Sequence, residues 1–514
     1  MVDVAKILGA FLSLTVLAIG GTAAAQEAPA TAIERFAGEA EVGSHPPVPI
    51  HLELRRSGDA VRGTVSIPGG SFELVEAHGS DAIAGRFHGP GGGGSLTLRV
   101  DGDILTGAFD LEGQPGAITA QRTPRDAEAF FRPPEQHLDL TTAQWLEDLD
   151  RLVEILTRAH GSPYHRMPRE RFEREVAGIR AAIPALDDVA VAVAFCRLGA
   201  LIGDGHTSVA LPRGRPRLPL ELYWFEDGLR AVRVAPTHRS VLGARLLAVN
   251  EVPAPDIVTR ARAYIAAGET PGFDRANLPD LVGNPDVLRA IGIEGRPSFA
   301  FLFEMPDGTQ KRVDLAAEAD PAQSATLGDG APRWRRNGTQ GFWSERLADG
   351  SVYVNWRSYD ELDRHGAALL QDLDANPPRR LVVDLRDNGG GDYTVGRGFI
   401  EAIRSRPWLS RPGALYVLIG RETFSAAMTN AVDFRLTTQA VLIGEPAGAA
   451  PNNWQEARRF HLPNSGLRVS VSTRYYAFLP GEHEVRPDHL VPPEPGDWGS
   501  PEDAGVRFVL AQPS

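Results

Sequence analysis

The sequence predicts an α/β core over its C-terminal third, with a helical segment, a small β-rich insert and an antiparallel β domain ahead of it. Three observations predict this. Strands that are apolar throughout alternate with helices from about residue 340. Apolar residues recur at helical spacing over 141–202. Strict two-residue alternation, cut by regularly spaced turns, runs from about residue 32 to 122. The chain has 514 residues, too many for one ordinary core. Its 54 glycines and 40 prolines favour short elements and many turns over a helical array.

The composition narrows the function. Hydrophobic residues make up 42% and charged residues 23%, within the globular range. The formal charge of −13 opposes binding to nucleic acid or an anionic membrane, which calls for clustered positive charge. The single cysteine, Cys196, excludes an intramolecular disulfide and cysteine-based metal centres. It lies in the apolar stretch 190–202 and reads as a buried hydrophobe.

The elements follow in chain order. Lys6, the apolar stretch Ile7–Gly21 and the small residues Ala23, Ala24 and Ala25 read as a cleaved secretory signal over 1–25. The apolar stretch is shorter than the ~20 residues a spanning helix needs. The expected mature chain is therefore exported, periplasmic or secreted, and without a membrane span. Residues 30–123 form the antiparallel accessory domain, as a barrel or sandwich. Alternation is clear in 50–54, 61–67 and 95–100, with turns at Ser57–Asp59, Pro68–Gly70, Gly89–Gly94 and Asp101–Asp103. Nothing in it looks catalytic, and nothing marks it as a lipid carrier.

The helical segment covers 127–206. Trp145, Leu149, Leu152, Val153 and Leu156 share one face, after possible caps Thr141 and Thr142. Phe172, Val176, Ile179 and Ile183 share another, and Asp187–Leu201 is nearly all apolar. A β-rich cap domain follows over 207–315, with a hairpin of Leu220–Phe225 and Leu229–Val234. Ala316–Gly341 is polar and broken by Gly and Pro, as in a linker. The core spans 340–510, with strands at Arg380–Arg386, Ala414–Ile419 and Ala440–Gly444.

Three places could carry chemistry. Asp384-Leu-Arg-Asp-Asn-Gly-Gly-Gly391 follows a buried strand, and its glycines leave backbone amides free to form an oxyanion hole. No Walker lysine follows and no GxGxxG spacing is present, so a nucleotide site is disfavoured. Ser425 opens a helix after the strand 414–419. Such a serine is commonly only an N-cap, but the helix start also favours the charge that develops when a serine attacks. Gly203-Asp-Gly-His-Thr207 ends a buried helix and presents His206, a possible general base. His160 and His165 lie close in sequence, but Pro163 breaks their register and no acidic cluster joins them. They read as loop residues rather than metal ligands.

Together these motifs resemble the S41 peptidases, the tail-specific and C-terminal-processing proteases and their tricorn-like relatives. The resemblance rests on Gly203–Thr207, Asp384–Gly391, Phe424–Ala427, Gly444-Glu-Pro-Ala-Gly448 and Arg486-Pro-Asp488, in that order, and covers about residues 140–510. It implies a crotonase-like or ClpP-like core and a serine-type peptidase acting on peptide or protein substrates without a cofactor or metal. It further implies Ser425 as nucleophile, His206 as base, and an oxyanion hole from Gly389 or Gly390 with the Ala426 amide. Relatives carry a PDZ-like module near 218–253, where only Gly243–Val252 has that look, so a degenerate or replaced module is expected. The lysine of the Ser/Lys dyad is missing, with Ala450 about where it would stand. The chemistry then falls to His206, with Glu482 or Glu484 as the carboxylate that orients it. Activity should accordingly fall as pH drops through the usual histidine range near ~6.5. The alternatives are a protein that binds small apolar ligands on the same scaffold without hydrolysis, and an esterase. Substrate preference and oligomeric state leave no mark in the sequence.

Overall fold

The computed structural model describes residues 33–42, 48–67, 70–89, 92–132, 134–319 and 324–513. The proposed signal segment, 1–25, lies outside the described residues. The chain divides into two compact units, residues 1–134 and 135–514. No helix among the described residues is long and apolar enough to cross a membrane.

The first unit is a closed barrel of eight antiparallel strands: β1 (Ile33–Val42), β2 (Val48–Ser57), β3 (Ala60–Ile67), β4 (Gly70–His78), β5 (Ala82–Gly89), β6 (Gly92–Asp101), β7 (Ile104–Leu111) and β8 (Gln114–Arg122). Each strand pairs with the next, and β1 closes on β8 with Gly38 opposite Ala120. Closure leaves no unpaired edge. The two-residue alternation decides which side chains face in, among them Phe36, Leu52, Leu54, Ile83, Leu98 and Leu105, all fully buried. A barrel, not a sandwich, therefore accounts for the alternating segments.

The second unit begins with three helices, Thr142–Arg158, Arg169–Ala182 and Asp188–Ala200. Thr141 caps the first in a reciprocal capping box with Gln144. Their apolar faces pack on a three-stranded sheet of Asn452–His461, Arg468–Ala477 and Ser208–Val209. The helical segment is thus buried against chain some 250 residues downstream, which periodicity alone does not reveal.

A seven-stranded sheet follows. Its main path runs Leu220–Phe225, Gly228–Val234, Arg245–Val249, Ser298–Glu304 and Gln310–Ala316. The expected linker is partly ordered within it. Ala325–Thr326 pairs with Gly228–Val234, and Trp334 and Arg333 are buried. Polarity misled there because Arg333 is held by Glu345 and a backbone carbonyl at Pro501.

The core sheet has six strands in the order Phe342–Arg346, Val352–Trp356, Leu381–Asp384, Leu415–Ile419, Val441–Gly444 and His489–Leu490. All neighbours are parallel except the first pair. Helices Leu362–Ala375, Tyr393–Arg404 and Ala426–Thr437 cover one face, and Ala504–Leu510 covers the other. The strands are apolar throughout because both faces are covered. The covering C-terminal segment is tied down by ions: Arg386 bridges Asp384 and Asp503, and Arg380 donates to the carbonyls of Val509 and Gln512.

Candidate active site

Two turns leave the carboxyl ends of adjacent parallel strands. One, 385–391, follows Leu381–Asp384, and the other, 420–425, follows Leu415–Ile419. Ligand clefts of open α/β sheets form at such ends. Buried polar side chains stitch the two turns together. Thr423 donates its hydroxyl to the Leu385 carbonyl at 2.8 Å and accepts the Gly420 N–H at 2.9 Å. The Asn388 carbonyl accepts the Phe424 N–H at 3.0 Å, and its side chain donates to the Trp356 carbonyl at 2.9 Å.

Ser425 sits where this stitching ends and the helix Ala426–Thr437 begins. Its backbone is at φ 52° and ψ −124°, a conformation that costs a non-glycine residue ~1–3 kcal/mol. Its side chain makes no capping hydrogen bond, so the ordinary reason for a serine at a helix start does not apply. Gly390, at φ 105°, lies against it. A Cβ there would stand 2.6 Å from Ser425 Cβ and 3.0 Å from the Ala426 nitrogen. Only glycine fits this approach. The strained, uncapped serine therefore faces the glycine turn, beside the start of a helix whose dipole favours negative charge.

The oxyanion donors divide unevenly. The Gly390 N–H is spent on Asn388 Oδ1 at 2.9 Å and is not a free donor. Among the described residues, neither the Gly389 nor the Ala426 N–H has a hydrogen-bond partner. A Cβ on Gly389 would meet only open space. The glycine pair expected from the motif thus reduces to Gly389 with Ala426.

His206 comes to the same place from the helical segment. Its ring stacks on Phe424, the residue before Ser425, with centroids 4.7 Å apart, and Phe273 packs near the same Phe424 ring at 5.5 Å. Both ring nitrogens are buried and neither has a hydrogen-bond partner. Burial drives its pKa down to about 4, against an opposing pull from Asp204. The ring is therefore neutral and able to accept a proton, but it does not hydrogen-bond Ser425. The ring's own titration thus lies below the ordinary histidine value near which a loss of activity was expected, because burial disfavours its charged form.

Neither expected carboxylate reaches that ring. Glu482 is exposed, and Glu484 is paired with Arg486 at 2.6 Å. The nearby Asp488 instead closes the sheet, accepting the Leu442 N–H at 2.8 Å. Two other carboxylates hold the histidine loop. Fully buried Asp204 accepts the His206 and Thr207 N–H groups at 3.2 and 2.9 Å, the Ser472 hydroxyl, and His160 Nε2 at 3.0 Å. Burial opposes its ionisation, but the hydrogen bonds from His160 and Ser472 carry its pKa below the ordinary value. The Ser162 N–H donates to His160 Nδ1 at 2.9 Å, which leaves Nε2 as the nitrogen that carries the proton. His160 stacks on His165 at 5.3 Å. Both histidines lie in the loop between the first two helices, as expected of loop residues, and there His160 supports Asp204 beneath the histidine loop.

The second carboxylate is Glu269, which sequence reasoning missed. Its oxygens accept the Gly205 N–H at 2.8 Å, the Ala450 N–H at 2.7 Å and the Asn453 side chain at 2.7 Å. Burial pushes it up to about 7 against these donors. It thus links the histidine loop to the segment where a dyad lysine would stand. Only Thr270-Pro271, a helix start, marks the spot in sequence. Among the described residues no group of three or more His, Cys, Asp or Glu could hold a metal ion.

Comparison with known proteins gives a likeness of fold. No protein-family model and no curated protein matches the chain. Among solved structures, mature CPAF complexed with lactacystin is similar over 72% of this chain and 96% of its own, at 13% identity and a TM-score of 0.49. The photosystem II D1 C-terminal processing protease is similar over 68% and 94%, at 16% identity and a TM-score of 0.34. A putative S41 protease from Bacteroides fragilis is similar over 70% and 92%, at 13% identity and a TM-score of 0.28. Two of these three are named as proteases, and one of them carries the name of the family whose motifs the sequence resembles.

Proposed function

We propose that the chain is an exported serine peptidase of the S41 type, with its catalytic core of the crotonase-like or ClpP-like kind and its seven-stranded sheet in the place of a PDZ-like module. The observation that carries the proposal is Ser425: a strained residue at a strand-to-helix turn with no structural employment for its hydroxyl. A peptide would bind beside the turn 385–391. His206 takes the Ser425 proton, Oγ attacks the scissile carbonyl, and the Gly389 and Ala426 amides receive the oxyanion. His206 then protonates the leaving amine, and water releases the acyl group by the same route in reverse. The missing Ser425–His206 bond forms when substrate displaces the ring from Phe424. Catalytic hydrogen bonds commonly tighten only in the complex. Export rests on Lys6, Ile7–Gly21 and the alanines that follow.

The unmade Ser425–His206 bond also favours a second reading, a scaffold that binds without hydrolysing. One experiment separates them. A fluorophosphonate probe should label the wild-type protein and fail on both Ser425→Ala and His206→Ala. Labelling that survives in Ser425→Ala removes the serine as nucleophile, and no labelling of wild type favours the binding protein.

A further inference from the structure

We propose that the N-terminal barrel binds one small, neutral, apolar molecule, of the class of a medium-chain alcohol, inside its less filled half. The proposal is independent of the peptidase reading and concerns residues 33–122 alone.

The barrel is filled unequally. Toward the turns at 58–59, 79–81 and 102–103 its interior is packed solid by Phe36, Leu54, Leu74, Ile83, Leu98 and Leu105. Toward the other end a cavity of about 70 Å³ remains, within about 630 Å³ of space that includes the solvent-open part. It is several times the ~10–15 Å³ that admits a single water. Every residue lining it is apolar, including Ile50, Val65, Ile67, Phe72 and Phe109. A wall of this kind offers water no partner and holds apolar guests instead.

Three further observations select the guest. Val48, Val65, Ile67 and Phe109 face the cavity but are only half-buried. An apolar guest would dry them, at ~25 cal/mol per Å² of surface covered. The strand backbones are paired all round the closed sheet, so the wall cannot recognise a polar group. At the cavity end of the barrel the described residues include Glu41, His88, Asp110 and Glu112 and no Lys or Arg. A Cβ on Gly92 would meet the Glu112 carboxylate oxygen at 2.4 Å, so negative charge stands on the rim itself. A fatty-acid anion would meet repulsion there and no counter-ion, whereas an alcohol of the same length would not. An eight-stranded barrel is wide enough for one small ligand, and the packed half blocks a deeper one.

The test is calorimetric titration of the full-length protein with 1-octanol and, separately, octanoate. The Ser425→Ala variant should bind octanol as wild type does, which separates this site from the serine. We expect one saturable octanol site per chain and at least about tenfold weaker binding of octanoate. Val65→Phe fills the cavity and should abolish octanol binding. Phe109→Leu enlarges it and should strengthen binding of the longer 1-decanol. Circular dichroism identifies any variant that fails to fold, and the other then carries the test. The proposal is overturned by absence of a saturable octanol site, by octanoate binding as tightly as octanol, or by unchanged alcohol binding in whichever cavity variant keeps its fold.

Discussion

His206 offers a measurement of how dry the site is. Its imidazole falls from the ordinary 6.5 to about 4 because burial disfavours the charged ring. Each pKa unit corresponds to ~1.4 kcal/mol, so the native state resists protonation of this ring by ~3 kcal/mol. In the unfolded chain the ring takes up its proton near the ordinary value. Between that value and about 4, unfolding therefore binds a proton, and stability falls as pH is lowered through this window. His206→Leu cannot titrate. It also removes two buried nitrogens that lack partners, each of which costs ~1–3 kcal/mol. The variant should thus be inactive, more stable than wild type at neutral pH, and ahead by a further ~3 kcal/mol once the window is crossed. Urea unfolding at pH values from about 7.5 to about 4 reads this directly. All 8 tryptophans lie between Trp145 and Trp498, so their fluorescence reports the second unit without interference from the barrel. Wild-type and variant curves that stay parallel across the window would refute the reasoning, for the ring would then be hydrated and an ordinary base.

Glu269 should act with the opposite sign. Its pKa is raised from 4.5 to about 7, so the native state holds a proton that the unfolded chain has released, and stability falls as pH rises through that range. In Glu269→Gln this dependence should vanish under the same unfolding assay, while the donor left facing Ala450 costs ~1–3 kcal/mol and peptidase turnover drops. Ser425→Gly should be more stable than Ser425→Ala by ~1 kcal/mol in thermal melts, because glycine tolerates the positive φ, although neither variant turns over substrate. Gly390→Ala should lose labelling by fluorophosphonate and melt several degrees lower, since its methyl would collide with Ser425.

Much of the architecture was readable in the sequence because it rests on local pattern. The two-residue alternation of Leu52, Leu54, Leu96 and Leu98 marks barrel strands, and the apolar strands Leu381–Asp384 and Leu415–Ile419 mark a sheet covered twice. Ser425 and His206 stood out because each follows a turn with unusual residues. What escaped was set by contacts distant in sequence. Glu269 becomes important only when Gly205 and Ala450 converge on it, and no local feature announces that. Glu484 seemed eligible from its nearness to Pro487-Asp488, yet an adjacent arginine claims it. The Gly390 amide looked free until Asn388, two residues away, folded back on it.

The way Ala504–Leu510 lies over the second face of the core sheet has a consequence for biosynthesis. Tyr353, Val382, Tyr416, Leu418 and Ile443 share one apolar cluster with Val506 and Val509, and Arg386 lacks its second counter-ion until Asp503 is present. A growing polypeptide cannot seal that face before residues 503–510 have cleared the ribosome. The serine turn, built on the same strands, is thus consolidated only after residues 503–510 have been made, and a chain released short of residue 503 would present a sticky, half-clad sheet to chaperones.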